Sequence, residues 1–281
     1  MSLSRREFVQ TAGAAGLAGF LPRPILPPTA DRLKKIGIQL YTVRQALEAD
    51  FDGTLDRLAA IGYKEVEFAW NRGTSPADTR KVLQRTGLTA PAAHLTVTDF
   101  EAGWDATVAM AHTLGIEYLV LAWIDADQRA TLDDYRRWAE RFNGFGRRAR
   151  AAGFQFGYHN HAEELTPIDG QHPYGILLGE TDPAEVAFEM DIYWMLEGGG
   201  DPLAYFAQWP GRFPLVHVKG RATDGTMVDV GAGSVDWAAI FAKRNEAGIR
   251  HYFVEHDEPP DAFASATASY RYLRALRFQD A

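Results

Sequence analysis

Five times along the chain, a stretch with helical spacing runs into a glycine and is followed at once by four to seven mostly apolar residues. The pattern reads AAIG-YKEVEFA at Gly62, QRTG-LTAPAAH at Gly87, HTLG-IEYLVLA at Gly115, RAAG-FQFGYHN at Gly153 and NEAG-IRHYFVE at Gly248. A glycine just past a helix end takes the left-handed conformation that a Cβ disfavours. The apolar run after it has the length of a strand. Ile36–Leu40, Val186–Met190 and Phe213–Val218 bring the strands to eight. Helices are predicted between them over 52–61, 76–86, 104–114, 132–152, 174–180, 202–209, 237–247 and 261–277. Ser75-Pro76 and Asp201-Pro202 each place a capping side chain before a proline at the first helical position.

Eight strands alternating with eight helices over about 250 residues is the arithmetic of a (β/α)₈ barrel, an α/β fold in a single domain. A doubly wound open sheet is the alternative. No G-x-G-x-x-G follows the first strand, which counts against the dinucleotide-binding form of that fold. The segment 231–237, GAGSVDW, lacks the G-K-[ST] ending of a phosphate-binding loop and reads as a loop entering a helix, capped by Asp236 or Ser234.

Residues 1–30 stand apart from this pattern. Ser4-Arg5-Arg6-Glu7-Phe8-Val9-Gln10 matches a twin-arginine export signal, and a Gly/Ala-rich run to Leu21 and a proline-rich stretch follow. The run is too short to span a membrane, so no stable membrane anchor is expected. We read 1–30 as a signal peptide, 31–281 as the barrel domain, and the destination as periplasmic or extracellular.

The chain has 281 residues, 46% hydrophobic and 23% charged, an ordinary globular composition. It has no cysteine, which excludes disulfides, Cys-ligated zinc, iron–sulfur clusters and a cysteine nucleophile. Its formal charge is −8, and −10 once the three Arg and one Glu of residues 1–30 are removed. That balance disfavours a nucleic acid partner, which needs a basic face.

In a barrel of this kind the chemistry sits where strands stop. His159, Asp191, His217 and Glu255 lie at the ends of strands five to eight, spaced by 32, 26 and 38 residues. Two imidazoles and two carboxylates from successive strands make a mixed N/O site suited to Mn²⁺, Co²⁺, Fe²⁺ or Zn²⁺ better than to Ca²⁺. Any one of the four alone would read as a helix cap or a satisfied turn. His161 lies two residues beyond His159, and spacing does not say which of the two ligates. Lys219 shares a strand face with His217 and could neutralise a developing oxyanion. Glu164, Glu67, His94 and Trp194 are candidate substrate contacts, and Trp70 and Trp123 could wall the pocket. His112 reads as helix surface, and His172, His251 and His256 carry no comparable support.

With these motifs in place, the chain resembles the sugar phosphate isomerase/epimerase superfamily, the xylose isomerase-like TIM barrels. The resemblance runs over residues 33–279. It rests on GYHNHAEEL (157–165), FEMDIYWMLEGGGDP (188–202), LVHVKG (215–220), GAGSVDW (231–237) and FVEHDEP (253–259), in order. It implies one divalent metal ion, Mn²⁺ first, with Co²⁺, Fe²⁺, Zn²⁺ or Mg²⁺ as alternatives. Relatives use a Glu, an Asp, a His and a second Glu. Asp191, His217 and Glu255 match the last three, and His159 stands where the first Glu is expected. With that departure, the proton shuttle between two glutamates that sugar epimerases of this group imply is not assumed for this chain. Glu164 looks similar to a substrate-binding Glu of relatives.

The expected activity is metal-dependent isomerisation or epimerisation of a carbohydrate or polyol by proton transfer next to a carbonyl, with Glu255, His159, His161 and Lys219 as candidate catalytic groups. The same chemistry gives elimination, as in a lyase or dehydratase, if a leaving group sits beta to the abstracted proton. A non-catalytic periplasmic sugar-binding protein and a metal-dependent nuclease of the endonuclease IV type are the competing readings. The acidic charge counts against the second.

Overall fold

The strand–helix units expected from the glycine-punctuated pattern are present in the computed structural model, which describes residues 30–69 and 74–280. The twin-arginine motif and Trp70 lie outside the described residues. Eight parallel strands close into a barrel: β1 (Gly37–Gln39), β2 (Glu65–Ala69), β3 (Thr89–Leu95), β4 (Tyr118–Leu121), β5 (Gln155–His159), β6 (Val186–Asp191), β7 (Leu215–Val218) and β8 (His251–Val254). Each pairs with its neighbour in the chain, and β8 closes onto β1 through Gly37 opposite Phe253. The protein is a TIM barrel. An open doubly wound sheet is excluded by this closure.

The helices form where the sequence places them, for local reasons. The helix Pro76–Thr86 starts on Ser75, whose side chain accepts from the Asp78 N–H. Leu132–Ala151 starts on a reciprocal box of Thr131 and Asp134 and buries Tyr135, Trp138, Ala139, Phe142, Gly146 and Ala149 along one stripe. The five glycines of the repeat all have positive φ, from 71° at Gly87 to 126° at Gly62. Asp236, not Ser234, caps the helix after GAGSVDW, accepting from the Ala239 N–H. Several elements differ from expectation: the helices Arg44–Ala49 and Val97–Phe100 and a short antiparallel pair, Gly220–Arg221 with Met227–Val228, are additional. The helix predicted over 237–247 breaks at Lys243 into Trp237–Ala242 and Arg244–Ala247. A further helix, Ile192–Glu197, follows β6 directly, with Asp191 as its cap. Among the described residues no helix is long and apolar enough to cross a membrane.

The barrel interior is layered. Ala92, Tyr118, Val120, Leu215 and Phe253 form an apolar plug. Gly37 makes room for it, since a Cβ there would stand 2.5 Å from the Phe253 ring. Side chains alternate across a strand, so the inward parity continues toward the strand ends. Glu189 and Asp191 share one face of β6, Leu215, His217 and Lys219 that of β7, and Phe253 and Glu255 that of β8. The plug therefore gives way, within one or two residues, to a wholly polar layer.

Candidate metal centre and cleft

His159, Asp191, His217 and Glu255 converge at the top of the barrel. Each offers one ligand atom, and these atoms lie within 4.8 Å of one another. His159 Nε2 is 3.3 Å from Asp191 Oδ2. His217 Nδ1 is 3.7 Å from the same oxygen and 2.7 Å from Glu255 Oε2. Ligands about 2.1 Å from one tetrahedral ion stand about 3.4 Å apart, so these separations suit a single cation. All four residues are buried. Asp191 divides its oxygens: Oδ1 accepts from the Trp194 N–H at 3.0 Å and starts the helix, while Oδ2 faces the site. The buried Asn160 side chain accepts from the Asp191 N–H at 3.1 Å and pins this strand end.

Lys219 stands at the side of the group. Its Nζ lies 3.0 Å from Asp191 Oδ2, 2.9 Å from Glu255 Oε2 and 2.8 Å from Asp257 Oδ1. Burial opposes the Lys219 charge, but the three carboxylates outweigh it and hold its pKa well above the ordinary range. Burial likewise disfavours the Asp191 carboxylate, yet Lys219 and then His159 bring its pKa down to about 2. Glu255 is held well below its usual range in the same way, by Lys219 and His217 against burial.

Beneath lies a second set of polar groups. His217 Nε2 is 2.6 Å from Glu67 Oε2, which also accepts from Gln39 Nε2 at 2.9 Å. His94 Nε2 is 2.6 Å from Glu189 Oε2. With Nε2–H given to Glu67, His217 presents the lone pair of Nδ1 to Asp191 and Glu255. That is the usual way a carboxylate fixes the tautomer of a metal-binding histidine. A bare Nδ1 lone pair 2.7 Å from a carboxylate oxygen is repulsive unless a cation or a proton lies between. Without metal a proton fills that gap, because Glu189, Glu255 and Glu67 hold the His217 pKa well above its ordinary value against burial; a divalent ion would take its place among His159, Asp191, His217 and Glu255.

The group opens into a cleft of ≈ 280 Å³. His94, His159, His161, Trp194, Lys219 and Glu255 line it, as do Trp123, Tyr41 and Asp257. His161 is outside the four-ligand group but meets the His159 ring edge-on, with centroids 4.7 Å apart, and packs on Trp123 at 4.6 Å. Burial, then the neighbouring His159 and Lys219, push its pKa well below the ordinary value, so it is neutral. Its Nδ1 has no hydrogen-bond partner. His159 is also held neutral, at about 4, by burial and His217.

Two of the expected substrate contacts sit elsewhere. Glu67 lies in the deeper layer and does not line the cleft. Glu164 is buried behind it, accepting from the Tyr158 hydroxyl at 2.7 Å and the His161 N–H at 2.8 Å, so it holds His161 in place. His112 is exposed on its helix, as expected. Sequence reasoning passed over Glu189 and Asp257. Their signal is strand parity: each lies two residues from a candidate ligand, Asp191 or Glu255.

The profile of the xylose isomerase-like TIM barrel family matches residues 55–276. The chain belongs to that family. Among solved structures, this xylose isomerase-like barrel is similar to a sugar phosphate isomerase/epimerase from Parabacteroides distasonis. The two are 29% identical with a TM-score of 0.77, over 86% of this chain and 94% of that one. It is also similar to the inosose dehydratase of Lacticaseibacillus casei, 23% identical over 83% of this chain and 90% of the relative. An IOLI protein solved with a zinc atom shares the fold, with a TM-score of 0.66 and 16% identity over 85% of this chain and 96% of that one.

Proposed function

We propose that this protein is a divalent-metal-dependent enzyme that moves a proton at a carbon next to a carbonyl in a carbohydrate or polyol, giving isomerisation or epimerisation. One observation carries the reading: a four-ligand N/O group lies at the floor of an open cleft beside an unpartnered neutral imidazole and a buried ammonium.

His159, Asp191, His217 and Glu255 would hold the ion, with Mn²⁺ the proposed metal; the zinc belongs to the neighbour alone. The ion, when bound, supplies Lewis-acid polarisation of the substrate carbonyl, worth several kcal/mol. The His161 ring is the base we assign. It is neutral and lines the cleft, whereas the Glu255 carboxylate is tied to Lys219 and His217. A positioned base contributes roughly 10²–10⁴ in rate. Lys219 remains an ammonium and would donate to oxygen that gains negative charge. Trp123 and Trp194 offer faces and edges on which a sugar ring could pack. Returning the proton to the adjacent carbon gives an isomer, and to the opposite face an epimer.

Dehydration is the second reading, favoured by the curated relative named inosose dehydratase. It needs the same abstraction by His161, followed by departure of a β-hydroxyl as water. Export is likewise proposed, on the twin-arginine motif Ser4–Gln10.

The test is proton exchange. Metal-loaded protein incubated with keto-sugars and inososes in D₂O should wash deuterium into the carbon next to the carbonyl, and mass analysis separates an isomer from a product lighter by one water. His161→Gln should lose exchange by at least about 10²-fold while keeping its metal. No exchange across a broad panel, or full exchange in His161→Gln, overturns the assignment.

A further inference from the structure

The layer beneath the four-ligand group has the makings of a binding site of its own. His94 Nε2 is 2.6 Å from Glu189 Oε2 and 3.6 Å from Glu67 Oε1. His217 Nε2 is 2.6 Å from Glu67 Oε2 and 3.3 Å from Glu189 Oε2. Each imidazole nitrogen is thus within reach of both acids, with Glu67 meeting His94 through Oε1 and His217 through Oε2. Separations of 2.6–3.6 Å bracket the roughly 3.4 Å expected between ligands of one tetrahedral ion. His94, His159, Glu189 and His217 each bring one ligand atom within 4.8 Å of the others, and Glu67 borders that group through its contacts with His94 and His217.

Hydrogen bonds alone leave this layer incomplete. Glu67 Oε1 and Glu189 Oε1 are fully buried and have no partner, and Glu67 Oε1 points toward His94. Unpaired buried carboxylate oxygens are costly. A divalent cation would give these two oxygens the partner that no hydrogen bond supplies.

We propose that His94, Glu189 and His217 Nε2, with Glu67 beside them, form a second, deeper divalent-cation site, with the His217 ring shared between it and the upper group. The mixed N/O donor set suits Zn²⁺, Mn²⁺ or Co²⁺. A second ion on Nε2 displaces the proton that otherwise goes to Glu67, so its binding releases a proton and weakens in acid. The site stands apart from the reading of the upper group and survives its failure.

The experiment is a metal count on the full chain. EDTA-stripped protein is titrated with Zn²⁺ alone, desalted, and its bound zinc measured by plasma mass spectrometry. Wild type should hold about two ions per chain, and Glu189→Gln, His94→Gln and Asp191→Asn about one each. Saturation of wild type at one ion, with Glu189→Gln and His94→Gln also holding one at unchanged affinity, overturns the proposal and makes the layer a hydrogen-bonded floor. Saturation of wild type at one ion that Glu189→Gln loses and Asp191→Asn keeps would leave the deep site standing and sink the upper reading instead. Two ions retained by Asp191→Asn would leave the deep site standing and sink the upper reading. Circular dichroism confirms that each variant is folded, and His94→Gln carries the test if Glu189→Gln is not.

Discussion

Replacing Lys219 by methionine removes the buried ammonium while keeping most of its volume. Its Nζ touches three carboxylate oxygens at 2.8–3.0 Å. At an effective dielectric of about 20, each contact represents roughly 5–6 kcal/mol of gross attraction. Most of that is cancelled by the cost of taking four charges out of water. Removing one partner from a buried ionic group, which strands the others, costs about 3–5 kcal/mol. For a domain of this size that lowers Tm by about 6–20 °C. The pH window follows from the shifts. Asp191 falls from 3.8 to about 2 on folding, so its share is complete above pH 3.8 and lost as pH drops through 2. Lys219 is raised above 10.5, so its share is complete below 10.5 and lost only as pH rises past its folded value. Neutral buffer lies inside both limits. Thermal melts in EDTA near neutral pH should show the full loss. Added Mn²⁺ should then stabilise Lys219→Met more than wild type, because the ion meets Asp191 and Glu255 without a competing ammonium. A variant that melts with wild type in EDTA, or gains no more from Mn²⁺, would refute the view that one lysine balances these three acids.

Glu67 titrates the other way. Burial, then repulsion from Glu189, raises its pKa from 4.5 to about 7, so metal-free protein loses stability as pH rises from 4.5 through 7. The shift corresponds to about 3 kcal/mol, and Glu67→Gln should recover up to that amount in alkaline but not in acidic urea melts; a difference independent of pH would count against it. Glu164→Gln leaves one of two donors, the Tyr158 hydroxyl or the His161 N–H, without its acceptor. It should cost about 1–3 kcal/mol of stability and lower kcat with metal content unchanged; full activity would show that His161 does not depend on this anchor.

Periodicity and spacing were legible in the chain alone. The glycine-punctuated repeats specify strand, helix and turn locally, because a left-handed helix terminus and an apolar strand run depend on neighbours in the chain. The spacing of His159, Asp191, His217 and Glu255 at successive strand ends then follows from the unit length, and barrel closure brings them together. Glu67, Glu189 and Asp257 were not legible in the same way. A single acid in an apolar run reads as an ordinary strand residue until the shear of the barrel decides which interior level it reaches. The same holds for Glu164, whose loop turns it behind His161 and not into the cleft. Which imidazole joins the ligand group, which acid meets the ammonium and which oxygen is left unpartnered are set by contacts between strands up to 150 residues apart, such as Glu67 with His217. Those distances exist only once the cylinder is closed.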